Sequence, residues 1–309
     1  MILDRGGAFE RSRSVDQANK DGSDADQCPD NWIKVPGNAT YGTDDFCVMK
    51  YEAKAQDSDT GEIADDSLFD SSDNFTGDNA DYTAVSAAEG RPWTNISQTE
   101  SINKCQDIGG SLITNDERMT ISRNIDQQAD NWTGGSVGNG ELIRGNHGNV
   151  IGQSLPVSDP DDPWSDMQGN TDPKYRRTHT LSNGEEILDM GGNARQWASD
   201  TIVGDRKPST NKSGMPEEWL NFNSDSGENT DYGSLSADEV RASNNDWNHS
   251  DNGIGQYWRG SDSGGPYGFR FGGFWAGMNS SGVFLLFLDH DPSHEASITT
   301  FRCTRPLGE

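Results

Sequence analysis

The chain has 309 residues and carries 24 Lys plus Arg against 51 Asp plus Glu, a formal net charge of -27. A surface this acidic repels phosphate backbones, which argues against a nucleic-acid partner. Apolar residues make up only 30% and mean hydropathy is -0.87, values that drift toward disorder, yet 9 Trp, 11 Phe and 7 Tyr point to a folded core wrapped in acidic loops. No apolar run of about 18 residues occurs, so no membrane insertion is expected. The opening residues lack the apolar stretch of a signal peptide.

In chain order, residues 1-30 read as an amino-terminal extension and 31-309 as one domain. The first predicted strand is Phe46-Cys-Val-Met-Lys-Tyr-Glu52, where Met49 and Tyr51 alternate with Lys50 and Glu52. Residues 56-81 are acidic and aperiodic, a solvated loop within an insertion at 54-90. Ser97-Gln-Thr-Glu100 is a capping box, which predicts a helix carrying Ile102, Cys105 and Ile108 and stopping at Gly109-Gly110. Thr114-Asn-Asp-Glu117 is a second box, opening a helix with Ile121 and Ile125 on one face. Two Gly-, Asn- and Asp-rich stretches, 130-175 and 201-255, read as long loop insertions. The last fifth is apolar again. Gly282-Val-Phe-Leu-Leu-Phe-Leu288 has apolar residues on both faces, as in a central strand covered on two sides.

Four cysteines (Cys28, Cys47, Cys105, Cys303) allow three pairings if all are oxidised, and their spacing fits no zinc pattern. Cys28 and Cys47 can pair independently and tie down the amino-terminal extension. The acidic clusters Asp57-Ser-Asp-Thr-Gly-Glu62 and Asp159-Pro-Asp-Asp162 match no full calcium loop. They allow a structural calcium ion without requiring one, and no cofactor is required. His290 and His294 are spaced i, i+4, but Pro292 intervenes, so a helical metal pair is not expected.

Asp189-Met-Gly-Gly-Asn193-Ala-Arg-Gln-Trp197-Ala-Ser-Asp200 resembles the signature block of the formylglycine-generating-enzyme type of C-type lectin fold. Arg195 and Gln196 stand where that family has Trp and Glu. Pro92-Trp-Thr-Asn-Ile-Ser97, Gly109-Gly-Ser-Leu-Ile-Thr114, Val35-Pro-Gly37 and Met49-Lys-Tyr-Glu52 resemble its other blocks. The resemblance implies an α+β fold with two helices packed on small antiparallel sheets, interrupted by long irregular insertions. It also implies a bridge between Cys105 on the first helix and Cys303 on the last strand, the alternative being two buried thiols. Closing so long a loop would stabilise by about 4 to 5 kcal/mol in the chain-entropy picture.

The carboxyl-terminal segment, 268-306, resembles the variable region of the variable proteins of diversity-generating retroelements, through Gly272-Gly-Phe-Trp275, Ser281-Gly-Val-Phe284, Pro292-Ser293 and Phe301-Arg-Cys303. That resemblance implies a non-catalytic binding protein with a diversified ligand face. The diversified positions would be Phe271, Phe274, Ala276, Met278 and Ser280, then Phe287, Asp289 and His290, then His294, Ala296, Ile298 and Thr299. Asn193, Trp197, Trp275, Gly282, Phe284 and Arg302 would hold the scaffold. Phe274, Ala276, Met278 and Ser280 share one side of an extended segment, and Phe287 points away from Phe284, Leu286 and Leu288. Core packing is the competing reading for Phe271, Phe274 and Phe287.

The implied partner is a protein or glycan receptor on a host cell surface, with a virion-surface or extracellular location, and homo-oligomers are compatible with this role. Two other functions compete. A formylglycine-generating oxidase needs paired reactive cysteines near the carboxyl terminus, where this chain has Cys303 alone. A calcium-dependent sugar-binding lectin needs a Glu-Pro-Asn or Gln-Pro-Asp triplet, which the sequence lacks.

Overall fold

Both long helices begin where the local chemistry satisfies otherwise unpaired amides. In the computed structural model, which describes residues 27-64, 79-209, 215-223, 231-260, 264-277 and 280-308, α1 spans Gln98–Asp107. Ser97 Oγ accepts the Glu100 amide at 3.2 Å, while Glu100 Oε2 accepts the Ser97 amide at 2.9 Å. Gly109 follows at φ 76°, a left-handed stop that a Cβ would strain. The second box opens α2 (Asn115–Asp126), with Thr114 Oγ1 accepting the Glu117 amide at 3.1 Å.

The two ends of the domain meet in a four-stranded sheet ordered β1-β2-β13-β5. Here β1 is Trp32–Val35, β2 is Phe46–Met49, β5 is Ser111–Leu112 and β13 is Cys303–Pro306. Two disulfides fasten it. Cys28–Cys47 ties the residues before β1 to β2, and Cys105–Cys303 ties α1 to β13 across 198 residues of sequence. The strand predicted to run through Glu52 ends at Met49, because Tyr51 and Glu52 turn inward to separate buried sites.

A second sheet lies at the middle of the molecule, ordered β12-β8-β10-β11-β9. Its strands are β8 (Arg195–Ile202), β9 (Tyr257–Trp258), β10 (Tyr267–Phe271), β11 (Leu286–Phe287) and β12 (Thr299–Phe301). The expectation of purely antiparallel sheets is corrected here. β12 runs parallel to β8 and β11 parallel to β9, because these neighbours are not consecutive in the chain and are joined by crossovers. The buried run 282-288 ladders only at Leu286 and Phe287, although every residue from Val283 to Leu288 is buried.

The acidic stretch read as a loop from Gln56 to Asp81 begins in a strand, since β3 (Lys54–Asp57) pairs with β4 (Tyr82–Val85). Residues 65-78 of that stretch lie outside the described residues. The predicted insertion 130-175 has little regular structure but is packed. Trp132, Leu142, Ile143, Leu155, Val157 and Met167 are all buried within it. The later insertion carries a short helix, α3 (His249–Asn252), and sends Trp219, Phe222, Val240 and Ile254 into the core. The chain is thus a mixed α+β protein with few helices and small sheets.

Hydrophobic residues cover both faces of the central sheet. One face packs with α2 through Phe271, Leu286, Tyr257 and Ile121. The other, through Trp197 and Phe301, packs with α1, Trp93 and the Cys105–Cys303 bridge. The site described below lies on this second side, where Arg270 and Phe287 continue the row begun by Trp197.

Candidate ligand-binding face

The entry into β8 is held by a buried polar centre. Asn193 adopts φ 65°, and its amide group donates to Glu52 Oε2 at 2.6 Å while its Oδ1 accepts the Leu155 amide at 2.7 Å. Glu52 Oε1 accepts the next amide, Ala194 N, at 3.1 Å. Burial and the neighbouring Asp189 raise the Glu52 carboxyl, while burial lowers the Lys54 ammonium that shares its surroundings. Arg302 donates to Gln196 Oε1 at 2.6 Å and to the carbonyls of Met49 and Lys50, each at 2.9 Å, and of Leu188. Arg177 grips Asp189 through two bonds of 2.9 and 2.6 Å. Gln196, where the resembled signature has Glu, uses its amide to bind both Arg302 and the Asp189 carbonyl, the latter at 2.8 Å. No local pattern announced this network, since its members are scattered from Glu52 to Arg302.

With β8 fixed, strand register sets one row of side chains. Trp258, Phe287, Arg270 and Trp197 are successive cross-strand partners on β9, β11, β10 and β8. The adjacent positions Tyr257, Leu286, Phe271 and Gln196 face the other way. Phe271, expected on the ligand face, is therefore corrected. It is fully buried, its ring under the Arg118 guanidinium of α2 at 5.6 Å.

Arg195 begins β8 on the same face as Trp197. Its guanidinium lies 3.9 Å from the Phe287 ring centre and 4.4 Å from that of Phe274. Phe287 is only 5% exposed, yet it belongs to neither core and is covered by Arg195 and by Trp258, whose ring centre is 6.0 Å away. Phe274 is half-buried. Gly273, at φ 104°, brings the chain here from β10, and a Cβ there would sit 2.4 Å from Ser281 Oγ. Gly282 plays a similar part, since its Cβ would meet the Gly255 amide nitrogen at 2.4 Å.

The second half of the face surrounds Arg270. Its Nη2 lies 2.5 Å from Asp289 Oδ1 and 2.6 Å from His290 Nδ1, and its Nη1 donates to Thr299 Oγ1 at 3.4 Å. The His290 and His294 rings pack 3.7 Å apart. Burial pushes the Asp289 carboxyl up, but its contact with His290 and the Arg270 charge outweigh this and hold it well below the usual carboxylate range. Burial, with His290 and Arg270, lowers His294 to about 4. Thr299 is fully buried beneath this group, so its expected place on the exposed face is corrected as well.

The other expected positions scatter around this cluster. Ala276 and Ser280 are half-buried on the loop leaving Phe274, and Met278 lies outside the described residues. Ala296 and Ile298 run past the start of α1, where their carbonyls accept the Asn95 and Arg195 amides at 3.0 and 2.8 Å. Trp275, half-buried, exchanges backbone bonds with Asn149 and Asn193 at 2.7 and 3.1 Å. Trp197 is fully buried and donates Nε1–H to the Ile96 carbonyl at 3.0 Å. Phe284 is fully buried, its carbonyl accepting Trp219 Nε1–H at 2.9 Å. Arg195, Arg270 and Trp258 were not expected at the site. The signal for Arg270 was readable, since it alternates with Phe269 and Phe271 and so faces away from them.

The face offers a cation between phenyl rings, a tight Arg–Asp–His group and a half-buried indole. Among the described residues no cluster of three or more His, Cys, Asp or Glu could hold a metal ion, and no cysteine is free. No helix among the described residues is long and apolar enough to cross a membrane.

No family model and no curated protein matches the chain. Among solved structures, the chain is similar to Treponema denticola variable protein 1, at 12% identity and a TM-score of 0.36, over 90% of this chain and 100% of that one.

Proposed function

We propose that this protein is a non-catalytic binding protein of the C-type lectin type, whose 268-306 segment a retroelement diversifies to present a variable surface to a receptor. The observation that carries this reading is the sorting of side chains along that segment. Phe274, Phe287, Asp289, His290 and His294 gather around Arg195 and Arg270 on one side of the central sheet, Phe287 buried and the others half-buried. The intervening Phe284, Leu286 and Leu288 are core. Side chains that can vary without unfolding the protein are those on such a face. An apolar centre with a few polar groups suits a protein-binding hot spot. The partner would be a receptor on a host cell surface, met by a protein displayed on a virion or outside a cell, singly or as an oligomer.

The test is the DNA beside the gene. A near-copy of the codons for 268-306, next to a reverse-transcriptase gene and differing only where the copy has adenine, is the expected result. Absence of any such repeat would overturn diversification and leave a binding face of fixed sequence.

A further inference from the structure

We infer that the face contains a receiving slot for a carboxylate, with Arg195 as its cation and the edges of Phe274 and Phe287 as its walls. This rests on the reading of the face as a ligand-binding surface and names the chemistry of what it binds. The buried Nε of Arg195 has no acceptor, and among the described residues no hydrogen bond or ion pair reaches its guanidinium. Its contacts are the two phenyl rings. Elsewhere in the molecule Arg177 and Arg302 fill their forks with carboxylate, amide or carbonyl oxygens. Arg123, Arg144, Arg270 and Arg305 also leave Nε unbonded, but each pairs through Nη2 with an oxygen. A buried N–H without an acceptor carries a desolvation cost.

Among the described residues no free carboxylate is bonded to Arg195. Asp289 is the carboxylate that acts on Arg195, but Arg270 and His290 already hold it at 2.5 and 3.1 Å. Burial and repulsion from Arg270 lower Arg195 to about 9, so it stays charged at neutral pH, with Asp289 acting on it without a direct bond. A planar carboxylate matches the fork of a guanidinium, two oxygens against two N–H groups.

The surroundings favour a protein source. Arg195 sits over one face of each of Phe274 and Phe287, and Phe287 is buried, so little stacking surface is left for a sugar ring there. The net charge of -27 repels a polyanionic tract at long range. A single Asp or Glu flanked by apolar residues avoids that repulsion, and the Phe274 ring and the Trp258 indole give those residues a surface.

The experiment is a titration of the whole 15N-labelled protein with a capped Phe-Asp-Phe tripeptide amide, and separately with its Phe-Asn-Phe counterpart. The readouts are the Arg195 Nε–Hε resonance, identified by its loss in Arg195→Lys and its ring-current displacement in Phe274→Ala, and the Trp258 indole N–H. The expected result is a saturable Arg195 shift from the Asp peptide with a millimolar Kd, at least about tenfold weaker for the Asn peptide. Equal Arg195 shifts from both peptides would overturn the inference. If both peptides move Trp258 and neither moves Arg195, the carboxylate slot falls and the binding face stands. If neither resonance responds to either peptide, both readings fall.

Discussion

Arg302 and Arg195 are neighbours in the fold and opposites in chemistry. Arg302 is fully buried and spends its donors on Gln196 and on three backbone carbonyls. Arg195 has phenyl rings on two sides and no oxygen within bonding distance among the described residues. The first arrangement is complete, so it fixes structure; the second is incomplete, so it can receive something. Buried charge by itself says little about function. What distinguishes a fastening from a site is whether the protein has already satisfied the charge.

The comparison can be broken most severely with acid. His147, His179 and His249 are buried, and burial lowers them to about 3, 4 and 4. Each is therefore neutral in the fold while the unfolded chain binds a proton below pH 6.5 or so. Their contribution is fully present above that value and is lost as pH falls toward 4. The carboxyls of Glu52, Asp116, Glu117, Asp126 and Glu295, raised by burial, work in the opposite direction. Those of Asp45, Asp57, Asp166, Asp289 and Asp291, held low by their hydrogen bonds, add to the loss. The expected outcome is a loss on the order of 2 kcal/mol per histidine, read as a falling urea midpoint between pH 6.5 and 4. A flat midpoint across that window would contradict the buried, neutral state.

Next in size is the fastening itself. Arg302→Leu strands the Met49, Lys50 and Leu188 carbonyls and leaves Glu52 and Asp189 short of a cation. The expected cost is about 4 kcal/mol, visible as a collapse of the denaturation midpoint or as unfolded protein. Arg195→Leu, by contrast, removes a cation that no protein oxygen needs. Stability should change by less than about 1 kcal/mol, of either sign, measured on the same urea curve.

The phenylalanines sharpen the same contrast at smaller scale. Phe271→Ala empties a fully buried position over α2 and should cost about 3 to 4 kcal/mol. Phe274→Ala removes a half-buried ring that leans on Arg195 and should cost about 1 kcal/mol or less. Thermal melts of the two variants would show the order, and a reversed order would move the binding face to the other side of the sheet.

Much of the scaffold was legible because it is written locally. The capping boxes at Ser97 and Thr114 concern four consecutive residues each, and both helices start where they predict. The apolar run ending at Leu288 marked the buried centre of the sheet. Strand direction was not legible, because β12 beside β8 and β11 beside β9 are pairings between distant segments. Nor was the packing of 130-175, where a polar, aperiodic stretch still inserts Trp132, Leu142 and Met167 into the interior.

The sequence by itself determined the helix starts and the apolar centre, since these depend on contacts between near neighbours in the chain, whereas segment 268-306 was singled out only by its resemblance to a variable region. Only the tertiary structure decided which side of the sheet each residue takes. Phe271 and Phe287 look alike in sequence, but cross-strand register puts one under Arg118 and the other under Arg195. Side chains alternate with a period of two, so a single step of register separates core from face.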